Sequence, residues 1–187
     1  MYVKLLFIVI FFIFLIFLRP VFSSDFFQKE INKINANVIF LRHSWAPGFG
    51  DPENFKTDDC NTQRNLSDDG VLQARKIGKF FLINQIEFSE ILTSEWCRCK
   101  ETINEMNIGD WKTFPGLNSF FQNFSKKNIV LPLLYDKLNN VKNDDFILLV
   151  THQVVISEIT NISPPSGGMV IYNTKNKKVK LIKNITN

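Results

Sequence analysis

Val38-Ile39-Phe40-Leu41-Arg42-His43 and Phe146-Ile147-Leu148-Leu149-Val150-Thr151-His152 are two short apolar runs, each ending in one of the only two histidines of this 187-residue chain. Runs of this length that are apolar on both faces read as strands inside a parallel sheet. The spacing predicts a first strand over 37–41 and a late one over 146–150, with Ile91–Thr93 as a third. Helical patterns lie between them. Ser67 reads as an N-cap, followed by Asp68 and Asp69 in the first turn and by Leu72, Ala74, Ile77, Phe80 and Phe81 on one face. Ser94 reads as the cap of a second helix running to about Met106, and residues 129–142 read as a third despite Pro132. Trp111–Asn123 has no regular pattern, and Pro115-Gly116 marks a turn within it. After a turn over Pro164–Gly168, Met169–Tyr172 and Val179–Ile182 form a closing hairpin. Strands alternating with helices define an α/β fold. The expected architecture is a three-layer α/β/α sandwich with a mostly parallel central sheet and a C-terminal hairpin.

In such sheets ligands sit beyond the carboxyl ends of the strands. That rule puts Arg42, His43 and His152 on one rim. Arg98 joins them from the first turn of the helix after the third strand. Guanidinium forks and exposed N–H groups suit a phosphate dianion. A neutral imidazole is a competent nucleophile whose phosphorylated form needs nearby positive charge. Arg42 and Arg98 can hold the equatorial oxygens while His43 attacks in line, with His152 donating to the developing charge.

The ordered set of Arg42-His43, Leu66-Ser67-Asp68-Asp69-Gly70-Val71-Leu72-Gln73, Ser94-Glu95-Trp96-Cys97-Arg98-Cys99-Lys100-Glu101-Thr102 and Thr151-His152 resembles the histidine phosphatase (phosphoglycerate mutase-like) superfamily. Within it, the chain is most similar to small compact members such as the bacterial phosphohistidine phosphatases. The resemblance implies a phosphoglycerate mutase-like fold and hydrolysis of a phosphomonoester or phosphoramidate through a phosphohistidine on His43. Arg42, Arg98 and His152 would bind the phosphoryl group, and Arg64 matches a further phosphate-binding arginine. No metal or organic cofactor is implied, and the partner is a small phosphorylated substrate. A phosphomutase of the same superfamily, or a phosphate-binding module without turnover, are the alternatives. Two positions depart from the pattern. Ser44 stands where a glycine is usual. The carboxylic acid that protonates the leaving group has no obvious counterpart: Gln153 follows the second histidine, and Asp110 is the acid available over 107–123. Asp51, Asp58 and Asp59, in the long polar loop from Ser44 to Asn65, are the other candidates.

Outside this framework, Leu5 to Leu18 is an uninterrupted apolar run of fourteen residues. It follows Lys4 and precedes Val21-Phe22-Ser23, a pattern of a secretory signal peptide over 1–23. A membrane anchor formed by residues 5–18 is the alternative, although a span needs roughly 20 residues. The phosphatase domain is then 24–187, exported to the periplasm or secreted. The whole chain carries 22 basic and 18 acidic residues. Loss of Lys4 and Arg19 would reduce the net charge to about +2, too mild for nucleic acid as a partner. The C-terminal lysines from Lys175 to Lys183 suit a solvated edge strand. Three cysteines in an exported chain favour one disulfide, from Cys60 to either Cys97 or Cys99. Trp45, Trp96, Trp111 and Phe120-Phe121 read as packing residues.

Overall fold

A computed structural model describes residues 22–142 and 144–182. The leader expected over 1–23 lies outside that part except for its last two residues. No helix among the described residues is long and apolar enough to cross a membrane.

The elements are α1 (Phe22–Ile34), β1 (Val38–Arg42), α2 (Asp68–Ile83), β2 (Glu90–Thr93), α3 (Cys97–Met106), β3 (Lys112–Thr113), α4 (Lys127–Asn139), β4 (Ile147–Thr151), α5 (Gln153–Thr160), β5 (Met169–Tyr172) and β6 (Val179–Ile182). Six strands form one sheet in the order β3-β2-β4-β1-β5-β6. The first four run parallel, and the β5–β6 hairpin adds antiparallel pairing beside β1.

The period-two alternation of a strand sorts the core into two halves. Ile39, Leu41, Leu148 and Val150 pack with α1, α2 and α3. Val38, Phe40, Ile147 and Leu149 face the other way, onto α4 and α5. The sheet is therefore covered on both sides, which explains why β1 and β4 are apolar throughout. Helices α2 and α3 approach closely because Gly78 has no side chain: a Cβ there would lie 1.9 Å from the Met106 carbonyl oxygen.

Four features differ from the sequence expectations. Helix α1, which buries Phe27, Ile31 and Ile34, has no counterpart among the predicted elements. Strand β3 forms within the segment expected to be irregular; with two residues it is too short to leave a period. Helix α4 begins and ends earlier than 129–142. Ser94 is not the cap of α3: Trp96 holds that position without a side-chain hydrogen bond, and Ser94 lies two residues earlier, its Oγ accepting from the Trp96 amide at 3.3 Å.

Candidate active site

The sheet ladder continues one residue past the strand ends. The His43 amide donates to the Thr151 carbonyl at 2.9 Å, and the Ser94 amide donates to the Val150 carbonyl at 2.9 Å. Three neighbouring strands thus stop together, and the side chains that follow β1 and β4, His43 and His152, line one cleft of about 160 Å³. Arg42, His43, Arg64, Arg98 and His152 all line it. His43, Arg98 and His152 are buried, and the two imidazole rings stand 5.4 Å apart.

Hydrogen bonding fixes the proton on His43. Its Nδ1 lies 2.8 Å from the Ser44 carbonyl, which can only accept, so Nδ1 carries the hydrogen. Its Nε2 receives the Arg98 Nε–H at 3.2 Å; a guanidinium only donates, so Nε2 presents a lone pair. On His152, Nδ1 faces Arg98 Nη2 at 3.4 Å and accepts. Its Nε2–H donates to Ser94 Oγ at 2.9 Å, and Ser94 Oγ donates on to Asn118 Oδ1 at 3.1 Å. Ser94 therefore orients a site histidine. Burial, and then the positive charge of Arg98, hold both imidazoles well below the usual histidine range, so both are neutral at neutral pH.

All five N–H groups of Arg98 find acceptors. Beyond the two histidines, its Nη1 meets Asp51 Oδ1 at 2.7 Å and the Arg64 carbonyl at 3.3 Å, and its Nη2 meets Asp51 Oδ2 at 3.1 Å. Asp51 also accepts from the Trp96 indole at 3.1 Å and the Arg64 amide at 3.0 Å. These donors lower its pKa against the opposing effect of burial. A carboxylate so occupied is unsuited to carrying a proton to a leaving group. The other acid candidates do not reach the cleft either: Asp58 and Asp110 are exposed, and Asp59 caps the short turn at Cys60–Thr62. Among the described residues no carboxylate lines the cleft.

Arg64 lines the cleft but is partly engaged, donating from Nε to the Gly50 carbonyl at 2.9 Å and from Nη1 to the Ala46 carbonyl. Burial and the neighbouring Arg98 lower its pKa to about 10, which still leaves it charged at neutral pH. Arg42 donates to the Pro164 carbonyl at 3.0 Å through Nη1, while its buried Nε has no protein partner. Ser44 avoids the left-handed region, so a side chain is accommodated there. At the next residue the chain turns onto α2: the Ser67 amide donates to the Trp45 carbonyl at 3.2 Å, and a Cβ on Gly70 would stand 2.0 Å from that oxygen.

Cys60 and Cys97 form a disulfide with Cα atoms 5.7 Å apart, and Cys99 is a buried free thiol. The bridge joins the segment carrying Arg64 to the first turn carrying Arg98. Cys99 lies 3.5 Å from His152 Nε2, and burial pushes its thiol up to about 12. Trp96 packs as expected, stacked on Phe55 with centroids 4.8 Å apart. Trp45 and Phe121 do not: both are substantially exposed and line the cleft.

No protein-family model and no curated protein sequence matches the chain. Solved structures do. The fold is that of the histidine phosphatases, phosphoglycerate mutase-like in architecture. The chain is similar to the protein histidine phosphatase SixA complexed with tungstate (17% identity, TM-score 0.51, 78% of this chain and 93% of that one). It is also similar to phosphoserine phosphatase from Entamoeba histolytica in complex with 3-phosphoglyceric acid (12% identity, TM-score 0.52, 77% and 93%). A third similar structure is phosphoglycerate mutase from Plasmodium falciparum (18% identity, TM-score 0.50, 80% and 91%).

Proposed function

We propose that this protein is a phosphatase that hydrolyses a phosphomonoester or phosphoramidate through a phosphohistidine on His43. The observation that carries the reading is the His43 hydrogen-bond pattern, which leaves the Nε2 lone pair directed into a cleft of three arginines. The Nε2 lone pair forms the N–P bond as the P–O or P–N bond to the leaving group breaks, and the leaving group departs with that bonding pair. Water then attacks phosphorus, the N–P bond breaks, and the imidazole recovers its lone pair. One water proton ends on the released group or on phosphate. Phosphoryl oxygens take over the Arg98 N–H groups that point at the imidazoles. Arg42 supplies its unpartnered Nε–H, and Arg64 adds charge. Positioned donors and fixed charge of this kind supply transition-state stabilisation without reorganisation. Tungstate in the SixA structure, a tetrahedral dianion like phosphate, is consistent with an oxyanion site in this fold.

Incubation with a phosphate donor followed by rapid quenching tests the reading. The trapped phosphate should be acid-labile, alkali-stable and located on His43, and His43→Ala should abolish both label and turnover. Label on Ser44 would overturn the mechanism.

Export fits the same protein. The apolar run over 5–18 is a leader, and a cut after Ser23 falls at the start of α1, keeping Phe27, Ile31 and Ile34 in the mature chain. A disulfide beside the site supports an oxidising compartment.

A further inference from the structure

From the aromatic mouth and the acid-free cleft together, we infer that the enzyme's substrates are phosphate monoesters of phenols; this inference rests on the phosphatase reading above. The first observation is the rim. Phe49 is 89% exposed, Trp45 50% and Phe121 38%, and all three border the phosphate cleft. Large exposed aromatic side chains gathered at one opening mark a binding surface. The Phe49 and Phe121 rings meet edge to face with centroids 5.1 Å apart, leaving ring faces available to a flat guest.

Their placement is built, not incidental. Phe49 sits between Gly48 and Gly50, at φ +91 and +71, a backbone that carries it out of the loop. Gln122, itself at φ 61, then clasps that loop. Its side-chain amide accepts from the Asp51 N–H at 2.7 Å and donates to the Asp51 carbonyl at 3.1 Å. A Cβ on Gly50 would stand 2.5 Å from the Gln122 amide oxygen, so the contact requires glycine there. The clasp fixes the Phe49 loop against the segment carrying Phe121.

The second observation concerns the leaving group. No carboxylate lines the cleft among the described residues, and Ser119 and Gln153, which do, release no proton at neutral pH. An alkoxide would have to depart unprotonated, forfeiting about 10²–10⁴-fold in rate. A phenolate departs without help, and its ring is the group that the rim would hold. In the step, His43 Nε2 bonds to phosphorus, the P–O(aryl) bond breaks, and the phenolate leaves with the electron pair. It takes a proton from the water that later releases inorganic phosphate.

The test compares kcat/KM for 4-nitrophenyl phosphate with that for acetyl phosphate, an equally ready leaving group without a ring, in the wild type, Phe49→Ala and Phe121→Ala. The aryl-to-acetyl ratio should fall about three- to tenfold in each variant, the size of one aromatic contact. Phe49 is too exposed to be needed for folding, and melting curves verify this. A tyrosine-phosphorylated peptide turned over faster than free phosphotyrosine would assign the phenol to a protein; the reverse would assign it to a small molecule, and either supports the inference. An unchanged ratio in both variants overturns it. If acetyl phosphate still labels His43 in that case, only the aromatic specificity is lost. If no donor labels His43, the phosphatase reading falls as well.

Discussion

Asp51 has the position of a sequence-level candidate acid and the environment of a brace. Its carboxylate and the Arg98 side chain are each only 4% exposed, so removing one partner strands a buried charge. Asp51→Ala should cost about 3–5 kcal/mol of stability. It should also lower kcat/KM at temperatures well below the melting transition, because Arg98 loses the fork that aims it. Chemical denaturation of wild type and variant measures the first effect; a loss below about 1 kcal/mol, typical of a surface pair, would contradict it. The convergence of His43, His152 and Arg98 on one cleft was legible because each follows an apolar strand or opens a helix. Asp51 was legible as a residue type only. It lies in a loop whose path depends on left-handed glycines and on Gln122, whose φ is also positive, and a hydrophobic pattern carries no record of such turns. The Trp45 and Phe121 side chains were misread as packing for the same reason.

Elements explain both what the chain advertised and what it concealed. Strands β1 and β4 announced themselves because burial on two faces leaves no polar residue in them. Helix α1 gave less signal, since its buried positions Phe27, Ile31 and Ile34 alternate with Gln28, Lys29 and Asn32 directly after a run read as a leader. The first turn of α3 is where element and site meet. The Cys60–Cys97 disulfide ties it to the Arg64 segment, and Gln63 Oε1 accepts from the Cys97 amide at 2.9 Å beside it. Closing that loop should stabilise the fold by about 2–4 kcal/mol. Cys60→Ser, which removes the bridge at its half-exposed end, should lower the thermal midpoint, and added reductant should lower that of the wild type but not of the variant. Equal midpoints for the two proteins without reductant would show that the bridge does not form.

The molecule as a whole should be sensitive to acid. His43 and His152 have folded pKa values below those of the unfolded chain, so the unfolded state binds protons first. Stability is then complete above the ordinary histidine pKa, roughly 6.5, and falls as pH drops through it. Asp51, also lowered, extends the fall toward its own folded pKa. Denaturation midpoints between neutral and mildly acidic pH should record a steady decline; a flat profile would mean that the imidazoles are not held neutral. The clustering of Arg42, Arg64 and Arg98 against the single carboxylate of Asp51 has a further consequence. These side chains carry a surplus of about two positive charges, which adds to burial in keeping protons off the histidines. A phosphate dianion cancels it. Burial still opposes protonation of His152, but the opposing charge is offset, and a proton on its Nδ1 gains an oxyanion to bond. Phosphate and proton should therefore bind as a linked pair, each raising the affinity for the other. Calorimetry in buffers of different ionisation heat, at a pH where inorganic phosphate is dianionic, should detect net proton uptake on binding. The proton so gained stays between His152 Nδ1 and the phosphoryl oxygens, where it steadies the bound group rather than reaching the leaving oxygen.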